Sequence, residues 1–278
     1  MSSNLPKGEI AELSNGMQLH YLDFAPSGAA RGNIVLVHGS GPGVSGWSNF
    51  QFNAEAMQNA GYRVLIPDLP GYGFTSKPED VAYTLDFFVG YIKEWVDQLG
   101  LEQCVLVGNS LGGAISIGFA LQHPAQVSEL ILMAPGGLEE REVYFATEGI
   151  QAMVKYPMGS PEFTRDVLQE LLKLLVFDAS HVTDDLVAQR WEILQQQNPQ
   201  VLASMQVPNL ANRLQELSCP LLVLWGREDK FCPLSGAHTC INNASNARVN
   251  MLTETGHWVM VEHADYFNRQ CIDFITRH

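Results

Sequence analysis

Five short, unbroken apolar runs, at 34–37, 62–66, 104–107, 129–133 and 220–225, are separated by stretches long enough for a helix, and this spacing constrains the fold most. A strand with one face in water alternates apolar and polar residues. A run such as Ile34-Val35-Leu36-Val37 needs cover on both faces, which helices crossing between parallel strands supply. The pattern predicts such helices at 49–60, 85–99, 111–122, 234–240 and 262–276; in the second, Phe87, Phe88, Tyr91, Ile92 and Trp95 share one face. The start of the chain differs. Residues 9–13 and 17–23 alternate around Asn15-Gly16, a dipeptide suited to the positive φ of a tight hairpin, so an antiparallel edge hairpin is expected there. Between the strand ending near Ala134 and the one beginning near Cys219 the alternation stops. That stretch reads as helices, with Phe163, Val167, Leu168, Leu171, Leu172 and Leu175 at helical spacing and breaks at Pro157, Pro161, Pro199 and Pro208. The expectation is one α/β core, a mostly parallel doubly wound sheet built from 1–136 and 213–278, carrying an inserted helical lid at 137–212.

Composition excludes some functions. A net charge of −14, with only 16 Lys and Arg and no basic run, does not suit a nucleic-acid surface. The five cysteines, Cys104, Cys219, Cys232, Cys240 and Cys271, form no Cys-x-x-Cys pair and read as reduced structural residues. Met1-Ser2-Ser3-Asn4-Leu5-Pro6-Lys7 lacks a signal-peptide pattern and no run of 18 apolar residues exists, so the expected location is cytoplasmic, with no membrane partner. The Gln195-Gln196-Gln197 run reads as the end of an exposed helix.

The chemistry begins at Cys104-Val105-Leu106-Val107-Gly108-Asn109-Ser110-Leu111-Gly112-Gly113. A strand runs into Gly-x-Ser-x-Gly and then into a helix, the context in which a serine hydroxyl stands out on a sharp turn as a nucleophile. Ser110 is that candidate. Downstream, the buried run ending in Trp225-Gly226-Arg227-Glu228-Asp229 offers an acid, and the strand at about 248–252 leads to Gly256-His257-Trp258. The order serine, acid, histidine suits this architecture, with Asp229 preferred and Glu228 its competitor. After the first parallel strand comes His38-Gly39-Ser40-Gly41-Pro42-Gly43-Val44-Ser45-Gly46-Trp47. A loop of this kind beside a nucleophile can supply an oxyanion donor, and the expected pair is the amides of Ser40 and Leu111. The same string contains Gly-x-Gly-x-x-Gly at 41–46, with Asp68 placed where a ribose-binding carboxylate could sit, so a dinucleotide site is a competing reading. Against it stand Pro42, which removes an N–H, and a helix start expected only at Ser48 or Asn49. His38 reads as loop-shaping and His263 as helping to begin the last helix, whereas His20, His123, His181, His238 and His278 lack a partner pattern. No spacing points to a metal, and no cofactor is expected.

Together, Ser110 in its Gly-Asn-Ser-Leu-Gly-Gly context, Asp229 in Gly-Arg-Glu-Asp-Lys-Phe and His257 in Gly-His-Trp-Val-Met-Val-Glu-His resemble the α/β-hydrolase fold over nearly the whole chain. More narrowly, the sequence is similar to the meta-cleavage product hydrolases, which hydrolyse a carbon–carbon bond in the degradation of aromatic and steroid rings. The residues behind this are the string from His38 to Asn49, Asn109, Leu132-Met133-Ala134-Pro135-Gly136-Gly137-Leu138, Gln189-Arg190-Trp191 and Gly256-His257-Trp258. The resemblance implies hydrolysis of a 2-hydroxy-6-oxo-hexa-2,4-dienoate to 2-hydroxypenta-2,4-dienoate and a carboxylic acid. It further implies that Arg190 grips the substrate carboxylate, that Asn109, Trp258, Gly39, Gly41 and Asn49 line the site, and that the assembly is a homodimer or larger homo-oligomer. Two positions depart from the family pattern: Leu111 follows the nucleophile where many members carry Met, and Leu175 stands in the lid where some relatives place an aromatic.

Three other readings remain open at the level of sequence: a carboxylesterase-like serine hydrolase, a lid-gated ligand receptor and the dinucleotide-dependent oxidoreductase. Arg190 and Asn109 discriminate the first of these, because a neutral ester gives no reason for a cation at the far end of a pocket.

Overall fold

The structure, a computed structural model, describes residues 6–277. Residues 1–5, part of the segment tested for a signal pattern, and His278 lie outside the described residues. Eight strands form one sheet: β1 (Glu9–Glu12), β2 (Gln18–Phe24), β3 (Asn33–Val37), β4 (Arg63–Pro67), β5 (Cys104–Asn109), β6 (Val127–Met133), β7 (Leu221–Gly226) and β8 (Ala247–Leu252). Their order is β1-β2-β4-β3-β5-β6-β7-β8. β1 and β2 form the antiparallel hairpin, β2 lies antiparallel to β4, and every later pairing is parallel. The unbroken apolar runs are explained by two cores. Val35, Val37, Leu106, Leu130, Leu132 and Val223 face one layer, while Ile34, Leu36, Val107, Ile131, Met133 and Leu224 face the other.

The first layer is made by α3 (Leu85–Gln98) and α4 (Leu111–Gln122), with Phe88, Val89, Ile92 and Trp95 all buried. On the opposite face lie α1 (Gly46–Phe50) and α2 (Ala54–Asn59), with Phe50, Ala54 and Met57 in the second core. A single helix over 49–60 is therefore replaced by two. The break falls at Asn53, whose buried side-chain amide donates to the Met260 carbonyl and to Asn268 Oδ1, each at 3.0 Å, and so serves a contact with the end of the chain instead of helix continuity. The helix also starts earlier than expected. Ser45 and Ser48 close a capping box, and the Gly46 N–H donates to Asp68 Oδ1 at 2.7 Å.

Between β6 and β7 lie α5 (Arg141–Phe145), α6 (Glu148–Lys155), α7 (Arg165–Lys173), α8 (Asp184–Leu194) and α9 (Gln200–Ser204). Pro157 and Pro161 fall between α6 and α7, and Pro199 precedes α9, where a missing N–H costs least. Phe163, Leu168, Leu171, Leu172, Leu186 and Val187 of this insertion join the second core, so α7 and α8 pack onto the same sheet face as α1 and α2, whereas Val201 of α9 and Leu210 join the first core. After β7 come α10 (Ser235–Asn243), α11 (Val259–Glu262) and α12 (Ala264–Arg277). The helix expected over 262–276 is interrupted at His263, whose Nε2 pairs with Thr255 Oγ1 at 2.8 Å. No helix among the described residues is long and apolar enough to cross a membrane.

Candidate active site

Ser110 occupies the junction of β5 and α4 at φ 53° and ψ −117°, a conformation that side chains other than glycine rarely adopt. Its N–H donates to the Met133 carbonyl at 3.0 Å and its carbonyl accepts from Gly136 N–H at 2.9 Å, which ties the turn to the end of β6. The flanking glycines permit the bend by close approach. A Cβ on Gly108 would stand 2.7 Å from Gly113 Cα, and one on Gly112 would overlap the Val37 carbonyl oxygen and lie 2.5 Å from that of His38.

Asp229, just past β7, accepts Phe231 and Cys232 N–H through Oδ1 at 2.7 and 2.9 Å, leaving Oδ2 at 2.7 Å from His257 Nδ1. A carboxylate only accepts, so Nδ1 carries the hydrogen and Nε2 is left with a lone pair. The pair is buried, and the Phe231 ring lies 5.5 Å from that of His257. Glu228 is spent elsewhere: Oε2 accepts Thr255 N–H at 3.1 Å and Oε1 takes Arg227 at 2.7 Å. The loop bearing His257 is held by Glu262, a residue with no role assigned from sequence. Its carboxylate accepts Gly256 N–H at 2.7 Å and, from the insertion, Phe177 N–H at 2.6 Å. Burial raises its pKa against the lowering effect of those amides.

Cys232 is more than packing. Its Sγ, the Asp229 carboxylate and a His257 ring nitrogen all lie within 4.8 Å of one another, and the thiol also meets the Ser110 hydroxyl. Among the described residues these three are the one group of His, Cys, Asp and Glu that converges enough to hold a metal ion. Two of them are already hydrogen-bonded together, and burial holds the Cys232 pKa well above its ordinary value, so the thiol stays neutral.

The loop after β3 reaches this turn: a Cβ on Gly39 would stand 2.9 Å from Asn109 Oδ1 and 3.1 Å from Ser110 Cβ. The amides of Ser40 and Leu111 have no acceptor among the described residues. His38 shapes the loop as expected, with Nδ1–H donating to the Gly39 carbonyl at 2.7 Å and Nε2 accepting Leu69 N–H at 2.9 Å. His20, expected to lack a partner, pairs instead with Asp68 Oδ2 at 2.8 Å across β2 and β4, a juxtaposition created by an antiparallel pairing with no local signature.

The dinucleotide reading loses one of its two objections, because the helix begins at Gly46, the last glycine of the motif. It meets a stronger one. The Gly43 N–H is taken by Gln197 Oε1, the Gly46 N–H by Asp68, and Asp68 itself by His20 and Phe74, so neither a phosphate cradle nor a free ribose-binding carboxylate is left.

Arg190 of α8 is 1% exposed. Its Nε donates to the Pro42 carbonyl at 3.0 Å, Nη1 approaches Ser48 Oγ at 3.4 Å, and the guanidinium lies 5.5 Å from the Trp258 ring. No carboxylate among the described residues pairs with it. Burial pushes its pKa down to about 9, which still leaves it charged at neutral pH. Asn49 Nδ2 donates to Asn109 Oδ1 at 3.0 Å, and Asn49 Oδ1 is buried without a partner. A cavity of about 220 Å³ at the seam of core and insertion is lined by Ser48, Phe52, Leu186, Gln189 and Trp258, and Gln189 Oε1 is likewise buried and unpaired.

Comparison with known proteins agrees with this fold. The family model for the alpha/beta hydrolase fold matches residues 32–264. A 2-hydroxy-6-oxononadienedioate/2-hydroxy-6-oxononatrienedioate hydrolase of Paraburkholderia phymatum is 36% identical over 96% of this chain and 93% of its own. A 2-hydroxy-6-oxo-6-phenylhexa-2,4-dienoate hydrolase of Burkholderia cepacia is 36% identical over 92% of this chain and 91% of its own. Among solved structures, a meta-cleavage product hydrolase of Pseudomonas fluorescens IP01, a serine-to-alanine mutant complexed with acetates, superposes with a TM-score of 0.84 at 29% identity, covering 97% of this chain and 98% of that one. The chain belongs to the α/β-hydrolase fold family and, within it, to the meta-cleavage product hydrolases, enzymes that act on carbon–carbon bonds.

Proposed function

We propose that this enzyme hydrolyses a 2-hydroxy-6-oxo-hexa-2,4-dienoate to 2-hydroxypenta-2,4-dienoate and a carboxylic acid, adding one water across C5–C6. The observation that carries the reading is Arg190, a buried cation without an anionic partner, set over the ring of Trp258, the residue after His257. An ion held out of water in this way costs several kcal/mol unless a partner arrives, and a substrate carboxylate is that partner. A neutral ester would leave the cost uncompensated.

In this reading Arg190 holds the carboxylate and 2-oxygen end, with Trp258 against the guanidinium and the orphan Asn49 Oδ1 accepting the 2-hydroxyl hydrogen. Asn109, Gly39 and Gly41 complete that wall. A C–C bond breaks heterolytically only if the leaving carbon has an electron sink, so the dienol first ketonises, with His257 Nε2 moving the proton to C5. Ser110 then serves attack on the C6 ketone, the amides of Ser40 and Leu111 receive the oxyanion, and the electron pair of C5–C6 passes into the 2-oxo group as the bond breaks. Asp229 keeps His257 in the required tautomer. Helices α5–α9 act as the lid that excludes water and bears Arg190.

A panel of coloured dienoates with methyl, phenyl and carboxyethyl groups at C6 tests this. Loss of dienol absorbance with release of the hydroxypentadienoate is the expected result, and Ser110→Ala should retain the early spectral change while releasing no product. No turnover of any member by the unaltered enzyme would sink the proposal.

A further inference from the structure

Gln197 is the last residue of the glutamine run assigned from sequence to an exposed helix end. It is instead 7% exposed, and both ends of its side-chain amide are engaged. Oε1 accepts Gly43 N–H at 2.5 Å and Nε2 donates to the Gly41 carbonyl at 3.1 Å, across more than 150 positions of chain. The segment it grips is neither helix nor strand, and it holds Gly41 at φ 144° and Gly43 at φ 64°. At Gly43 a Cβ would also stand 2.7 Å from the Arg190 carbonyl carbon, so core loop and insertion touch through backbone. The Pro42 carbonyl between them receives Arg190 Nε. Residues 41, 42 and 43 are thus all held from the insertion, while Gly39, one residue before Ser40, is held from the core by His38 and abuts Ser110.

We propose that Gln197 is a positioning residue for the attack step: by clamping Gly41 and Gly43 it fixes the Ser40 amide where the C6 oxyanion develops, so the oxyanion hole is complete only with the insertion seated. The inference rests on the proposed roles of Ser110 and Ser40. It has a kinetic signature that general structural support lacks. Ketonisation moves a proton to C5 and places no new charge on the C6 oxygen, whereas attack does, so displacing the Ser40 amide slows only the second step.

The test is rapid mixing of the wild type and Gln197→Met with a dienoate, following dienol decay and product release separately, together with steady-state hydrolysis of p-nitrophenyl acetate. Methionine matches the length of glutamine and makes neither hydrogen bond. Product release and ester hydrolysis should each fall about 10- to 100-fold, with dienol decay and the dienoate KM changing less than about threefold. Unchanged product release, or a loss shared equally with dienol decay and KM, would overturn the assignment. If Gln197→Met does not fold, Gln197→Glu keeps an oxygen for Gly43 N–H and should show a smaller loss confined to the same step. A wild type that cleaves the ester and no dienoate would remove the proposed substrate, while the ester arm would still decide the role of Gln197.

Discussion

At the scale of single residues, Arg190 separates charge from packing. Its buried stem fills space and its head, set against the Trp258 ring, is the unpaired cation, so Arg190→Met keeps most of the first and removes the second. For a dienoate, kcat/KM should fall about 100- to 1,000-fold, the loss of one charged contact worth roughly 3–4 kcal/mol. Hydrolysis of p-nitrophenyl acetate, which carries no carboxylate, should fall far less, by about tenfold at most, the share that belongs to the lost Pro42 contact. Equal losses on both substrates would make the arginine structural. Asp229 follows an unbroken apolar run that marks its strand in the sequence, whereas the strand before His257, Arg248-Val249-Asn250-Met251-Leu252, is mixed in character, and His257 is marked instead by its place after the serine and the acid in chain order. Arg190 was not legible by periodicity, which gives it to a solvated helix face; only its Gln-Arg-Trp context marked it. Gln197 was misread for the same reason. A polar side chain on a short helix end is buried or exposed according to what packs over it, and no local pattern carries that.

At the scale of elements, the junction of β3, β5 and α4 sets the reach of the nucleophile, and the tolerance there is set by glycine. Replacing Gly112 with alanine puts a methyl group into the carbonyls of Val37 and His38, which are backbone atoms and cannot rotate away. α4 must then lift from β3, with an expected loss of about 3 kcal/mol read from the urea midpoint. Activity should fall further than stability, since Ser110 opens the displaced helix. An unchanged midpoint would mean that the close approach is relaxed in solution. Strands were the most legible elements: each expected run overlaps an observed strand to within a residue or two at its ends, because burial on both faces writes an unbroken apolar signature. Helix interruptions were the least legible. The breaks at Asn53 and His263 are stabilised by Met260, Asn268 and Thr255, partners brought in by the fold, and neither site carries proline or glycine to announce it.

At the scale of the whole molecule, core and insertion meet over the 38–43 loop, and that meeting depends on one imidazole staying neutral. His38 is fully buried, donates through Nδ1 and accepts the Leu69 N–H through Nε2, so a second proton would replace an acceptor by a donor facing a donor. Burial is the main cause that lowers its pKa below the ordinary value of 6.5; the Asp68 charge and the Gly39 carbonyl oppose it, and Arg190 adds to it. The unfolded chain therefore binds a proton at this site at a higher pH than the folded one. Stability conferred by neutral His38 is present above about pH 6.5 and declines as pH falls below it, towards the folded pKa. Self-repulsion from a net charge of −14 works in the other direction, but it eases mainly where carboxylates titrate, roughly two units lower. The melting temperature should thus drop between pH 7.5 and 5.5 in the wild type. His38→Asn cannot titrate there, and although it should melt lower at pH 7.5, its dependence on pH over this interval should be flatter. Parallel slopes for the two proteins would move the acid sensitivity to another histidine and free the loop from this constraint.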